Sequence, residues 1–162
     1  MAYVYRAIMG GWDRMPVGAW YSTQDQYPTV ADTPQAATVN TTVFARDIVV
    51  VDGSKFKVSQ AGIYNIEYTA QIYNTGGGGN TAHTHIYLAK NTIDLTYSAN
   101  RISSIANNPY VVATRNFMVE AAVDDYFQIM FEVNHVNIGF EFESPNATPG
   151  VPSISVTINQ VG

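Results

Sequence analysis

Alternation of apolar and polar residues is the feature that most constrains the fold of this chain. In the segment GIYNIEYTAQIY (62–73), apolar and polar side chains alternate without a break from Tyr64 to Ile72. Segments 126–133 and 152–161 alternate in the same way. This pattern is typical of antiparallel strands with one buried face. No segment has the apolar period of an amphipathic helix, so the sequence predicts an all-β fold.

Turn signals divide the β-rich segments at intervals that suit a sandwich. Asp52-Gly53 lies between two β-rich runs and predicts a hairpin, because such turns need positive φ angles. The apolar positions change from odd to even after Val133, which predicts a turn or bulge at 134–137. About eight strands result, which favours an antiparallel β-sandwich, specifically a jelly roll, over βαβ units. The remaining breaks fall at residues 59–62, 75–80, 107–109, 123–125 and 144–152.

The first 39 residues show only weak alternation. They carry aromatic residues and prolines at irregular spacing, so we interpret 1–39 as an irregular N-terminal arm and lead-in segment, and 40–162 as the jelly-roll domain. An arm rich in aromatic side chains is expected to pack on its own sandwich or on a neighbouring subunit. The arm residues expected to dock on a partner are Trp12, Met15, Trp20 and Tyr21.

Charge content limits the classes of partner. Only 13% of the 162 residues are charged, against roughly 25% in ordinary soluble domains, so part of the surface is expected to be buried against other subunits. The net charge is −5 and no basic run of three residues occurs, which argues against nucleic-acid binding. No apolar run approaches the roughly 18 residues of a membrane helix, and none resembles a signal peptide. The lack of cysteine favours synthesis in a reducing compartment.

The segment TGGGGNTAHTH (75–85) carries the most suggestive chemical motif. Its four consecutive glycines lack the lysine and the following helix of a phosphate-binding loop, so we interpret them as a strand connection. His83 and His85 point to the same face of a predicted strand. They are weak candidates for metal ligands, because zinc takes three or four ligands, and an exposed or subunit-interface histidine pair is the alternative. Ile86 and Leu88 lie on the other, core-facing parity.

Catalytic motifs are scarce. There is no cysteine and no Gly-x-Ser-x-Gly elbow. Glu141 and Glu143 share a strand face, as paired carboxylates for glycoside cleavage would. They face away from Phe140 and Phe142, which favours two solvated glutamates, and His135 is interpreted as a solvated turn residue. The sequence therefore predicts a protein without enzymatic activity, metal or other cofactor.

Several phrases resemble the jelly rolls of the tumour-necrosis-factor and complement globular-head type. FKVSQAGIYNIEYTAQI (56–72) is similar to their F-x-V-x-x-x-G-x-Y-x-I/F phrase, and IYLAKN (86–91) is similar to their I-x-L-x-K-N strand. NFMVEAAVDDYFQIMF (116–131) resembles F-x-V-x-L-x-x-G-D-Y-V-x-L, with Asp124 where glycine is usual. PSISVTINQVG (152–162) resembles a closing strand of the versions on phage fibres and capsids, cyanophages included.

The resemblance implies a jelly roll that assembles as a compact homotrimer. In such a trimer the inner sheet meets its copies around a three-fold axis through aromatic and aliphatic side chains. The residues that would serve the core and the trimer contact together are Tyr64, Ile66, Tyr68, Ile86, Leu88, Phe117, Phe127, Ile129, Phe131, Ile154, Val156 and Ile158.

These features lead to the expectation of a virion structural protein, assembled in the host cytoplasm. The first hypothesis is a trimeric decoration or cement protein that binds the major capsid protein or another virion protein and stabilises the phage head shell. The alternative is a receptor- or carbohydrate-binding tip of a tail or head fibre, in which 75–80 and 107–110 contact sugars. A more distant option is a hydrolytic enzyme, which requires Glu141 or Glu143 to converge with His135.

Overall fold

Two antiparallel sheets stack on a shared apolar core in the computed structural model, which describes residues 15–76, 79–104, 110–146 and 149–162. The predicted antiparallel β-sandwich is confirmed. Within the described residues, the single helical element is a 3-10 turn, Gly79–Thr81. The strands are β1 (Val17–Ser22), β2 (Gln35–Ala36), β3 (Thr41–Arg46), β4 (Ile48–Val51), β5 (Lys55–Val58), β6 (Gly62–Asn74), β7 (His83–Lys90), β8 (Ile93–Asp94), β9 (Asn100–Ser103), β10 (Tyr110–Ala121), β11 (Tyr126–Val133), β12 (Ile138–Phe140) and β13 (Ile154–Gln160).

The strand order interleaves distant parts of the chain. The six-stranded sheet runs β10-β6-β13-β1-β3, with β12 also paired to β6. The seven-stranded sheet runs β4-β5-β11-β7-β8, with β2 on β11 and β9 on β7. Long strands that are neighbours in sequence therefore lie in opposite sheets: β5 is followed by β6 across the core, and β6 by β7. The sandwich is held together by pairings between segments far apart in the chain.

The core is built from the alternating faces that the sequence indicated. Tyr64, Ile66 and Tyr68 of β6 are 0% exposed, and the Tyr64 hydroxyl donates a 2.7 Å hydrogen bond to the Gln60 carbonyl. Burial of each large apolar side chain stabilises the fold by roughly 1.5–3 kcal/mol. All the residues assigned to the core and the trimer contact are buried inside the single chain. Their role in the core is confirmed. Their proposed second role at a trimer axis is wrong, because a side chain with almost no accessible surface cannot contact another chain.

The start of the chain departs from the expectation of an irregular arm. Residues 17–22 form β1, which lies between β13 and β3 in the six-stranded sheet. Trp20 is 2% exposed and packs on Phe56 of the opposite sheet, with ring centroids 5.1 Å apart. A Cβ at Gly18 would lie 2.2 Å from the Trp20 ring, so the absent side chain makes room for the indole. The assignment of Trp20 to partner docking is therefore wrong.

The other arm residues are placed differently. Tyr21 is half-buried on the solvent-facing side of β1, and Met15 is 41% exposed just before it. The Met15 carbonyl accepts a 2.7 Å hydrogen bond from the Arg46 guanidinium, which fixes the chain at this point. Trp12 lies outside the described residues. Docking of Met15 and Tyr21 on a partner stays a prediction.

Two predicted turns are confirmed. Asp52 and Gly53 connect β4 to β5 with φ angles of 51° and 70°. Residues 134–137 form the turn between β11 and β12, and the chain passes there from the seven-stranded to the six-stranded sheet. The change of sheet explains the change of apolar parity, because Val133 and Ile138 are both buried although one is odd and the other even.

Candidate functional site

The side chains on the solvent-facing side of the six-stranded sheet are at least partly exposed. We call the outward side chains of its four adjacent strands β10, β6, β13 and β1 the polar sheet face. Glu67 and Glu120 are the only residues on these four fully described strand faces that are charged at neutral pH. The members are Val17, Ala19, Tyr21, Ile63, Asn65, Glu67, Thr69, Gln71, Tyr73, Tyr110, Val112, Thr114, Asn116, Met118, Glu120, Ser155, Thr157 and Asn159.

Side-chain amides on the polar sheet face bond to one another across the strands. Asn116 donates to the Asn65 carbonyl oxygen, and the Asn65 amide donates to Asn159 at 3.2 Å. Thr114 donates to the Tyr68 carbonyl at 2.9 Å. Removal of water from the surface costs less free energy for groups paired in this way than for unpaired or charged groups. The face is therefore suited to burial against another protein surface.

Exposed apolar side chains lie among these amides. Val112 is 63% exposed, Met118 is 61% exposed and Ile63 is 44% exposed. On the neighbouring strand β3, Phe44 is 51% exposed. Apolar side chains with polar neighbours are the usual composition of a protein–protein interface.

The opposite side of the sandwich has a different character. The outward positions of the seven-stranded sheet carry Lys55, Lys57, Arg101 and Glu132. Lys57 forms a 3.0 Å ion pair with the exposed Asp124. The seven-stranded sheet thus carries charges of both signs on its outward side, whereas the polar sheet face carries only two glutamates.

A group of tyrosines lies at one end of the polar sheet face. Tyr73 and Tyr110 stack with ring centroids 4.6 Å apart, and Tyr110 is 44% exposed. Burial, together with the neighbouring Glu141 and Glu143, raises the pKa of Tyr110 to about 12. Tyr110 belongs to the 107–110 segment that we expected to contact sugars, and the structure adds Tyr73 and two carboxylates beside it.

The two glutamates differ in environment. Glu143 is exposed, as expected. Glu141 is only partly solvated, because its Oε2 is shielded from solvent and accepts no hydrogen bond from any described residue. Burial raises the pKa of Glu141, the Tyr110 hydroxyl opposes this, and Asp25 adds to it. Tyr27 is perturbed in the same region: burial, then the Glu141 charge, raises its pKa above the ordinary value.

This group of tyrosines and glutamates is formed by pairing between distant segments, which is why the sequence did not predict it. Gln26 and Phe140 exchange backbone hydrogen bonds of 2.8 and 3.1 Å, and the Phe142 amide donates to the Asp25 carboxylate at 2.8 Å. These bonds bring the segment around Tyr27 to the strand that precedes Glu141. The first 39 residues showed only weak alternation, so nothing in the sequence indicated this pairing.

His135 does not complete an acid–base site with these glutamates. Its Nδ1 accepts a 3.3 Å hydrogen bond from the Asn137 amide within the turn. It is not among the groups that perturb the pKa of Glu141. The convergence that a hydrolytic site requires is therefore not supported in the described residues.

His83 and His85 lie side by side on β7, with ring centroids 4.9 Å apart. The His83 Nδ1 is 2.8 Å from the Thr81 carbonyl and 3.4 Å from an Arg101 nitrogen, and the His85 Nδ1 is 4.0 Å from a Glu132 oxygen. Burial and then the adjacent His83 lower the pKa of His85, against the opposing effect of Glu132.

A metal site at the histidine pair receives no support. Among the described residues, no three His, Asp or Glu side chains gather closely enough to hold a metal ion. The cationic Arg101 beside His83 also disfavours a bound cation there. On the opposite face of β7, Ile86 and Leu88 are fully buried, as predicted.

The glycine-rich segment connects two strands, as predicted. β6 ends at Asn74 and β7 begins at His83, and the described part between them contains only the 3-10 turn Gly79–Thr81. This turn is too short to offer a helix N-terminus to a phosphate.

Comparison with known proteins does not assign the chain to a family. No helix in the described part of the chain is long and apolar enough to cross a membrane. The chain matches no protein-family model and no curated protein sequence.

Proposed function

We propose that this chain is a non-catalytic structural subunit of a phage particle, which forms a homotrimer through the polar sheet face and decorates the head shell. The observation that carries the proposal is the character of that face. It spans four strands, carries only two charged residues and has its amides paired laterally. Such a surface can be desolvated at low cost, which self-association requires.

The strand order supports the jelly-roll interpretation behind this proposal. Long strands alternate between the two sheets along the chain, and β13 returns to lie between β1 and β6. Double-sheet jelly rolls have this kind of connectivity. The resemblance implies that one sheet of such a fold faces the three-fold axis. The six-stranded sheet fits that role better than the seven-stranded sheet, because the polar sheet face has fewer charged side chains to desolvate on association.

Shell stabilisation would follow from mass action. A trimer that binds the assembled shell more tightly than it binds free shell subunits shifts the equilibrium towards the shell. Each interface of a stable trimer is expected to bury about 800 Å² per partner, the standard size for specific association. The charged side of the sandwich and the loops at its ends then remain for contact with the major capsid protein.

The rupture temperature of phage particles tests the cement role directly. Particles stripped of the protein are expected to rupture at a lower temperature, and re-addition of the trimer is expected to restore the original rupture temperature. Unchanged rupture after stripping contradicts the cement role. The proper control is re-addition of a variant that binds the shell but cannot trimerise.

The second candidate function, a receptor- or carbohydrate-binding fibre tip, is favoured by one observation. The stacked rings of Tyr73 and Tyr110 lie beside Glu141 and leave Tyr110 half exposed, which suits a sugar ring and its hydroxyls. The number of copies per particle separates the two functions. A number comparable to that of the major capsid protein indicates shell decoration, and a number comparable to that of a tail component indicates a fibre tip.

A further inference from the structure

An open cleft of about 400 Å³ lies on the seven-stranded sheet, where the segment between β8 and β9 runs along β7. The Leu95 amide bonds to the Leu88 carbonyl at 2.9 Å, and the Ser98 hydroxyl bonds to both the amide and the carbonyl of Leu88. These bonds fix the segment against the sheet. The cleft is lined by Pro34, His85, Tyr87, Asp94, Leu95, Tyr97, Ser98, Ala99 and Glu132.

Tyr97 presents its ring to solvent in an unfavourable backbone conformation. The side chain is 94% exposed, and the residue has a φ of 63° in the left-handed region. Bulky L-residues rarely adopt this conformation, and such strain concentrates at binding sites. The backbone conformation belongs to the turn in which the Ser98 amide donates to the Leu95 carbonyl at 3.1 Å. The exposed ring contributes nothing to the core, so core packing does not account for a tyrosine here.

Hydrogen bonds from Arg115 fix the backbone of the Tyr97 segment. Arg115 of β10 donates to the Ser98 carbonyl at 2.8 Å, to the Asn100 side chain at 2.7 Å and to the Tyr97 carbonyl at 3.2 Å. The same guanidinium stacks over the Phe117 ring at 5.1 Å. A binding group held in place before the ligand arrives loses less entropy on binding. The backbone that carries Tyr97 is therefore preorganised.

The polar groups that line the cleft have few partners among the described residues. Tyr87 is nine-tenths buried, lines the cleft and makes no hydrogen bond through its hydroxyl to any described residue. Asp94 and Glu132 lie near that hydroxyl, and burial together with their charges raises the pKa of Tyr87 to about 12. In the described part of the chain, neither carboxylate pairs with a lysine or arginine. His85 also lines the cleft, beside Tyr87, Asp94 and Glu132.

We propose that this cleft binds a sugar unit of a glycan, with one face of the sugar ring on Tyr97 and its hydroxyls bonded to Tyr87, Asp94 and Glu132. A sugar has hydroxyls that donate and accept, and the cleft supplies acceptors in its carboxylates and groups that do both in Tyr87 and His85. A cation would use the acceptors alone. The site is separate from the polar sheet face, so the inference does not depend on the homotrimer.

Two-dimensional NMR of the full chain tests the proposal with a panel of methyl glycosides of hexoses and N-acetylhexosamines. At least one glycoside is expected to shift the ring signals of Tyr97, Tyr87 and His85 with saturation. Tyr97→Asn keeps a residue that tolerates the left-handed conformation and is expected to weaken binding at least about ten-fold. The matched control is Val49→Asn, which alters an exposed residue of β4 at the opposite edge of the same sheet and is expected to leave affinity unchanged.

The alternatives give different results. Sugar affinity should change less than about two-fold between roughly 0.05 M and 0.5 M salt, because no net charge is neutralised. Stronger binding of lysine amide or arginine amide, lost at high salt, would overturn the proposal in favour of a cation site. Loss of binding in Tyr110→Asn but not in Tyr97→Asn would move sugar binding to the Tyr73–Tyr110 end. No saturable shift with any glycoside would also overturn it.

Discussion

Trp20 of β1 and Phe56 of β5 pack against each other across the sandwich, with their ring centroids 5.1 Å apart and their planes tilted by 58°. Because Gly18 leaves the space that the indole occupies, the first strand belongs to the core rather than to a separate arm.

Trp20→Ala should therefore destabilise the fold. Removal of a buried tryptophan leaves a cavity between the sheets and is expected to lower the free energy of unfolding by about 3–5 kcal/mol. Urea denaturation followed by tyrosine fluorescence or circular dichroism measures the change. Tyr97→Asn serves as the control, since its ring is 94% exposed, and should change stability by less than about 0.5 kcal/mol. Equal stability of wild type and Trp20→Ala would show that β1 does not belong to the core.

Asp124 occupies a backbone position that favours glycine. Its φ is 69°, in the left-handed region, at the point where the jelly-roll phrase that this segment resembles has Gly. Asp124→Gly is expected to raise the free energy of unfolding by up to about 1 kcal/mol, because glycine adopts this conformation without steric cost. The variant also loses the exposed ion pair with Lys57, which contributes little. Lys57→Met isolates that contribution, and a lower thermal midpoint for Asp124→Gly than for Lys57→Met contradicts the prediction.

Asp125 should make stability depend on pH in the acid range. The Asn91 amide at 2.6 Å, and then the Ala122 backbone amide at 2.8 Å, hold the pKa of Asp125 below its ordinary value of 3.8. The stabilisation is therefore complete above pH 3.8 and is lost as the pH falls through the lower, folded-state pKa. Asp125→Asn is expected to lower stability by about 1–2 kcal/mol at neutral pH.

The difference between wild type and Asp125→Asn should narrow below pH 3.8. Denaturation curves of both proteins at neutral pH and at several acidic pH values measure it. A difference that stays constant down to the lowest pH would contradict the assignment of the ionised carboxylate as the stabilising group.

Arg115 should control the order of the Tyr97 segment. Arg115→Met removes hydrogen bonds to Tyr97, Ser98 and Asn100, so amide hydrogen exchange between residues 95 and 100 is expected to become faster. The loss of these charge-assisted bonds should cost about 1–3 kcal/mol. Arg101→Met is the matched control, because its guanidinium lies beside His83 and does not bond to this segment. Similar exchange in the two variants would show that Arg115 does not hold the segment.

The sequence predicted those parts of the fold in which one face of a strand is apolar and the other polar. β6 is the best example, since Tyr64 to Ile72 alternate in the sequence and in the structure. β1 was missed because Val17 and Ala19 on its outward face are also apolar, which hides the alternation around Trp20.

The candidate sites were harder to predict, because their members meet only through the strand order. The cleft joins Pro34, Asp94 and Glu132, which are far apart in the chain. The partly buried Glu141 depends on a pairing between Gln26 and Phe140 that no local pattern indicates. In contrast, the hairpin at Asp52-Gly53 needed only its own two residues and was predicted correctly.

Self-association through the polar sheet face is the central claim, and sedimentation equilibrium of the full chain tests it most directly. The account predicts a mass three times the 17.7 kDa of the chain. Thr157→Arg places a charge in the middle of the face and should shift the mass to that of a monomer, whereas Val49→Arg, exposed on the other sheet, should leave the trimer intact. A monomeric wild type, or a trimer that Thr157→Arg does not weaken, would contradict the account.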